Sequence, residues 1–445
     1  MLYILNKIKL LNLFIVIPLV LFTFLFLPFV DTPACWDEGY ERGLTNIFYE
    51  HGIKAYSMNN LAHPAFKPFL VSIFYKIGGF NQLSYNTAGL VVGYVGIIGI
   101  YLLSKSLFNK NVAVLASLLL STFPLFLANS IFNLNDYLIT VLIVAALYFY
   151  LKNKVFLYIL SVSSAVLTKE TAAILPVCIF AIECIFNFRS KQFFKKNFLM
   201  KLVLLLFPLL VLFTWNKFAE LNGRTSSWNW NMPKGSAYMT IINNLITFNI
   251  FTKYAKAHIS KLLFLNFNWI HWLIISTGIG VLVKDMGFKK IKERILSGRQ
   301  KEKTLLVMFL FVAIYIATVL TLQIPPAARY HLPVIPFLLI GVSFVVNRFM
   351  KKIPVYAILV FSLINFVGLF FSIDPISIKL WNHEFMEGQH VYTKSIGDDQ
   401  LVYNLQYLFI LKQRKNTIIS QHRKTGESIK WDNPYYYTKL CNFRS

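Results

Sequence analysis

Long apolar runs, separated by short connections that are either strongly basic or nearly uncharged, constrain this chain more than any other feature. Crossing the hydrocarbon core of a bilayer as a helix takes roughly 20 mostly apolar residues. Windows of that character lie near residues 11–30, 87–104, 112–128, 137–151, 155–167, 172–187, 202–216, 269–283, 304–322, 331–346 and 354–371. They predict an all-α polytopic membrane protein of about eleven transmembrane helices. Several windows are short, so tight helical hairpins are expected. Composition agrees: 56% of the 445 residues are apolar and only 14% are charged, against about a quarter in a soluble chain. Leu11 to Val30 is too long for a signal h-region, and no small-residue cleavage site follows it, so it reads as an uncleaved first span. Cys35, Cys178, Cys184 and Cys441 lack the paired spacing of a disulfide scaffold or a zinc site.

The formal net charge of +25 would suggest nucleic acid in a soluble protein, but its distribution points to a membrane. With the N-terminus inside, the cytoplasmic connections collect Lys7 and Lys9, Lys105 and Lys110, Lys152 and Lys154, and Arg348, Lys351 and Lys352. Residues 189–201 add five cations and no acid, and residues 284–303 add eight cations against three acids. The opposite connections at 129–136, 168–171 and 323–329 carry one cation or none. This is the positive-inside pattern.

Three larger segments then lie outside: 31–86, 217–268 and 372–445. The division expected is a membrane domain over 1–371 and a small extracytoplasmic region over 372–445, with the C-terminus outside. Within the second outer loop, Tyr238 to Phe251 is amphipathic and interrupted by asparagines, which favours an interfacial helix over a span.

Carboxylates are sparse, 19 Asp and Glu against 44 Lys and Arg, yet five fall between Asp31 and Glu50. Among them are Asp37 and Glu38, flanked by Trp36 and Tyr40. Glu41 and Glu50 read as ordinary surface carboxylates. Further along the same loop, His63, Pro64, Lys67 and Pro68 precede the apolar stretch Phe69 to Ile77, and the prolines suggest a rigid bend into a helix lying on the membrane surface. A solvated loop with structural prolines is the plain alternative.

Asp136 opens the apolar run Tyr137 to Tyr150, where a simple helix cap would account for it. Lys169 and Glu170 sit between two apolar segments with almost no loop; burying them is costly unless they pair or meet a ligand. A local Lys169–Glu170 surface pair is the competing reading. Arg329, followed by Tyr330, is the only Lys, Arg, Asp or Glu between Lys303 and Arg348, and its fork suits phosphate oxygens, although snorkelling to headgroups would also place it there. Glu183 falls one turn from the cytoplasmic end of its span, within reach of Arg189. Asp37, Glu38, Lys67, Asp136, Lys169 and Arg329 thus share the outer depth. That suggests one cavity at the outer membrane–water boundary, suited to an anionic lipid and an acceptor needing a base.

These residues resemble the motifs of the GT-C membrane glycosyltransferases, in particular the branch of protein mannosyltransferases and the lipid A aminoarabinose transferase. Trp36-Asp37-Glu38-Gly39-Tyr40 looks like that family's Asp-Glu motif after the first span. His63-Pro64-Ala65-Phe66-Lys67-Pro68 is similar to its His/Lys-Pro motif. Asn135-Asp136-Tyr137 occupies the place of a short acidic turn, and Leu167-Thr168-Lys169-Glu170 looks like its Leu-Thr-Lys-Gly turn, with Glu170 where Gly is usual. Arg329-Tyr330-His331-Leu332-Pro333 with Pro336 resembles its Arg-Tyr-x-x-Pro-x-x-Pro segment. The motifs run in the expected order over 36–336; the tail from 372 matches none of them.

The resemblance implies a GT-C fold with interfacial helices in the first outer loop, in the inner membrane of a prokaryote. It implies transfer of a sugar, with inversion, from a polyprenyl-phosphate donor to a protein, lipid or glycan acceptor outside. Asp37 would be the base, with Glu38 and Asp136 orienting acceptor or sugar. Lys67, Arg329 and Lys169 would hold the donor phosphate, and His63, Tyr40, Glu170 and Tyr330 would line the cavity. No cofactor and no nucleic acid partner are expected. A divalent metal is used by some relatives but is not favoured here, because no third carboxylate lies at close spacing. A lipid-linked sugar flippase or another transporter is the alternative; such proteins usually show internal repeats with midplane charges, and no convincing repeat is visible.

Overall fold

The computed structural model describes residues 13–32, 37–59, 63–189, 196–224, 269–321 and 328–349, with shorter pieces between 243 and 267, at 357 and 360–364, and at 412, 415 and 416. Among these residues every regular element is helical. The membrane part begins with α1 (Val16–Phe26). The loop after α1, the expected first outer loop, contributes α2 (Asp37–Ser57) and α3 (Phe66–Gly78). There follow α4 (Gln82–Leu107), α5 (Lys110–Ser121), α6 (Pro124–Phe132), α7 (Asn135–Leu151) and α8 (Val155–Val166). A 3₁₀ turn, Glu170–Ala173, leads into α9 (Ile174–Arg189), and then α10 (Lys196–Leu221). Beyond a short α11 (Ala255–Ser260) come α12 (Trp269–Leu296), α13 (Gln300–Thr321), a second 3₁₀ turn at Ala328–Val334 and α14 (Ile335–Phe349).

Six of these helices are long and apolar enough to cross a membrane, and α5 with α6, bent by 57°, form a seventh as a pair. Three shorter apolar helices, Val16–Phe29, α7 and α8, fall below that length. The described helices of spanning length therefore number six or seven, not eleven, and the last expected span, 354–371, lies largely outside the described residues. Local chemistry explains the breaks. Asn81 and Asn109 cap α4 and α5 by accepting from Ser84 N and Val112 N at 2.9 and 3.0 Å. Pro124, lacking an N–H, starts α6 and splits the run that reads as one window in sequence.

The core lies among α1, α4–α9, α13 and α14. Small residues on α4 bring its neighbours close: a Cβ built at Gly89 would lie 1.9 Å from the Ser130 carbonyl oxygen of α6. Tyr137 of α7 donates to the Gly89 carbonyl at 3.0 Å. The outer-loop helices form a smaller cluster on this core. Leu44, Tyr56 and Ala65 pack with Trp215 of α10, and Val71 and Tyr75 of α3 pack on Tyr85 and Ala88 of α4. On its other side α3 leaves Phe69, Ile73 and Ile77 exposed, one apolar stripe at helical spacing. Lys412 and Lys415 donate to the carbonyls of Pro28 and Asp31 at 2.7 and 2.9 Å, so this part of the 372–445 region meets the outer-loop end of the first helix.

At the other end of the core Glu183, fully buried, accepts from Tyr150 at 2.9 Å, Lys201 at 2.6 Å and Lys303 at 3.0 Å. The Arg189 side chain, the expected local partner, lies outside the described residues; the carboxylate ties α7, α9, α10 and α13 together.

Candidate active site

Helix ends build the site. α7 begins after the extended residue Leu134, and no side chain caps it. Asp136 is therefore not a cap. Its carboxylate, 1% exposed, accepts from Lys169 Nζ at 2.7 and 2.8 Å, one bond to each oxygen. Arg329 Nε lies 3.4 Å from Asp136 Oδ2. The Tyr330 ring faces both cations, its centroid 5.1 Å from Lys169 Nζ and 5.1 Å from Arg329 Cζ. Asp136, Lys169 and Arg329 are all buried, and in such surroundings charges interact more strongly than they would in solvent.

Lys169 and Glu170 do not pair with each other. Lys169 is extended (φ −155°, ψ 136°) between the end of α8 and the 3₁₀ turn, and extended backbone throws successive side chains to opposite sides. Lys169 turns to Asp136, and Glu170 turns to His63, whose Nδ1 is 3.1 Å from Glu170 Oε2. Alongside, the Phe66 amide donates to the Leu167 carbonyl at 2.8 Å. The outer loop is thereby stitched to the α8–α9 turn.

Lys67, in the first turn of α3, is 2% exposed. Its ammonium bonds Glu41 of α2 and lies 5.5 Å from the Tyr85 ring centroid. Glu41 is thus no ordinary surface carboxylate but the partner of a buried lysine. Arg42 bonds Gln82 at the start of α4. Tyr56 lies between the pairs. Its hydroxyl donates to the His63 carbonyl at 2.7 Å, and it feels the charges of Glu41, Glu170 and Arg224. Burial pushes that hydroxyl well above its usual range, and the two carboxylates push the same way. Arg224 follows Gly223, whose φ of +90° reverses the chain at the end of α10; it is 7% exposed.

The structure brings Asp136, Lys169, Arg329 and Tyr330 into one cluster and His63 and Glu170 into a neighbouring pair. Lys67 stands with Glu41. Tyr40, 39% exposed, donates to Asn59 at 3.0 Å. Asp37 and Glu38 open α2, but their side chains lie outside the described residues. Sequence reasoning missed Glu41, Tyr56, Arg224 and the buried pair His258 and His331, whose ring centroids are 5.6 Å apart beside Tyr330. Glu41 could have been found, since it falls on the helical face of Asp37 and Glu38; Arg224 offers no comparable signal. Among the described residues no three His, Cys, Asp or Glu side chains converge as metal ligands.

These observations define a polytopic membrane protein, helical throughout its described regular elements, with a buried ionic site at one end of its helices. The apo structure of ArnT from Cupriavidus metallidurans superposes with a TM-score of 0.52 at 13% identity, covering 94% of this chain and 73% of that one. The oligosaccharyltransferase of Archaeoglobus fulgidus in complex with Zn and sulfate gives a TM-score of 0.48 at 16% identity, over 96% of this chain and 61% of that one. By sequence, residues 62–215 match the family of dolichyl-phosphate-mannose-protein mannosyltransferases. No curated protein matches the sequence significantly.

Proposed function

We propose that this protein is an inverting glycosyltransferase. It moves a sugar from a polyprenyl-phosphate donor to a protein, lipid or glycan acceptor on the extracytoplasmic side of a prokaryotic inner membrane. The reading rests first on Lys169 and Arg329 converging on Asp136 in a buried site, with the His63–Glu170 pair anchored at the residue after Lys169. Such a cluster suits a lipid phosphate more than a neutral substrate. In this reading the three shorter apolar helices and segment 354–371 complete eleven crossings, and α3 lies on the outer leaflet through Phe69, Ile73 and Ile77.

The chemistry asked of the protein is modest. An acceptor hydroxyl or amine attacks the anomeric carbon opposite the phosphate. The bond between that carbon and the phosphate oxygen breaks, and the electron pair leaves with the oxygen. Asp37 takes the acceptor proton. Lys169, Arg329 and Lys67 meet the charge that develops on the phosphate, while Glu38 and Asp136 hold the acceptor, the sugar or the cations in register. His63, Tyr40, Glu170 and Tyr330 shape the cavity, and no metal is required.

Asp37→Asn is the test. With a labelled polyprenyl-phosphate sugar it should lower turnover by at least a thousandfold, on the order expected for loss of a general base together with its charge, while the protein stays folded in the membrane. Wild-type turnover in that variant would remove Asp37 from the mechanism. Transport of the lipid-linked sugar without transfer would favour a flippase instead.

A further inference from the structure

The start of α4 grips the chain on both sides of Asp37. Asn86, fully buried, spends both amide hydrogens on backbone: Nδ2 donates to the Val30 carbonyl at 2.9 Å and to the Thr32 carbonyl at 3.1 Å. These carbonyls follow the 3₁₀ turn Leu27–Phe29, and the end of a helix leaves acceptors that need a donor. One turn earlier on α4, Gln82 Nε2 donates to Asn86 Oδ1 at 2.8 Å. Gln82 Oε1 in turn accepts from Arg42 Nη1 of α2. The direction of this series is forced at both ends, because a guanidinium only donates and a carbonyl only accepts. Each amide between them therefore has one orientation, and bonds aligned in series polarise one another.

Thr32 and Arg42 each lie five residues from Asp37. The segment between them is thus closed at both ends onto one helix of the core. Glu41, the neighbour of Arg42, bonds Lys67 of α3. Successive residues of a helix are about 100° apart around its axis, so α2 is held against rotation by two different helices. We infer that Asn86 and Gln82 are positioning residues: acting through Val30, Thr32 and Arg42, they clasp the segment that carries Asp37 and hold the start of α2 in the register that proton removal requires. A general base works only within hydrogen-bond reach of its proton. The catalytic part of this inference rests on the transferase reading with Asp37 as base; the clasp itself does not.

Two near-isosteric variants of the full chain in lipid nanodiscs provide the test. Gln82→Met replaces a half-buried side chain and removes the link between Arg42 and Asn86. Asn86→Leu removes the whole series. Hydrogen exchange in the peptide spanning residues 31–42 should quicken about three- to tenfold in Gln82→Met, the worth of one hydrogen bond, and further in Asn86→Leu. With a labelled polyprenyl-phosphate sugar, kcat should fall about ten- to a hundredfold, the scale of a displaced catalytic group. KM for the donor should stay within about twofold, because Lys169 and Arg329 are held by other elements. Added to Asp37→Asn, Gln82→Met should lower the residual turnover by less than about twofold, since a base already removed cannot be misplaced. Unchanged exchange in Gln82→Met overturns the clasp. An unchanged kcat, or an equal fall in kcat with and without the Asp37 carboxylate, overturns the positioning role. Faster exchange in a chain whose wild type transfers no sugar leaves the clasp standing and removes the transferase reading. Should Asn86→Leu fail to fold, Gln82→Met decides alone.

Discussion

Asp136 shows what a buried carboxylate does when two cations close on it. Removing one member of such a set leaves charge in the protein interior without its counterpart, at a cost of roughly 3–5 kcal/mol. Asp136→Ala and Lys169→Ala should each destabilise the protein by that order, and the double variant by about 1–3 kcal/mol less than their sum. Chemical denaturation of the purified protein reads this directly, and strict additivity would mean that the pair is not coupled. The Lys217–Glu220 pair is the control: its side chains are 56% and 66% exposed, so Glu220→Ala should stay within about 0.5 kcal/mol. At this scale the sequence was informative about rarity. Asp136, Lys169 and Arg329 are conspicuous because charge at the edge of an apolar run is expensive. Which partner each takes was not legible. Lys169 ignores its neighbour Glu170, and Lys67 takes Glu41, because those choices depend on which helix ends meet.

Among the elements, α4 is the hub on which the packing turns. Gly89, Gly93 and Gly96 face the close neighbours Ser130, Phe22 and Val141, the small-residue contact that lets membrane helices approach. Gly89→Ala puts a methyl into the Ser130 backbone carbonyl, which cannot rotate away. It should cost about 1–3 kcal/mol or shift α6, seen as a lower unfolding temperature in detergent. Gly43→Ala on α2, where nothing lies within 4 Å of the added Cβ, should be neutral or stabilise by up to about 1 kcal/mol. A destabilised Gly43→Ala beside an unaffected Gly89→Ala would contradict this packing. Most long helices were visible as apolar windows, since hydrocarbon length and hydropathy are properties of a local stretch. The bend between α5 and α6 was not, although Pro124 was in view, because a proline marks a break without giving its angle.

For the whole molecule, the ionic groups gather at two poles. α7 joins them, with Asp136 near one end and Tyr150, bonded to Glu183, about 21 Å away along the helix. In the proposed topology, which follows the positive-inside pattern, the Asp136 pole lies outside. In a cysteine-free background, a cysteine at the exposed position Asn81 should react with an impermeant maleimide on intact cells, and one at the exposed position Ser297 only after permeabilisation. The reverse result would invert the topology and put the site on the cytoplasmic side.

By itself the sequence determined that this chain is a membrane protein, roughly where many of its helices run, and which few charges had to be accounted for. Those follow from hydropathy and from the cost of burying ions, and both act residue by residue along the chain. Tertiary structure decided the pairing: Asp136 with Lys169 and Arg329, Lys67 with Glu41, Glu170 with His63, and Glu183 with Lys201 and Lys303. An ion in a low-dielectric interior is drawn to whatever opposite charge the packing brings within a few ångströms, and that distance is set by the helices that meet in space, not by neighbours in the chain.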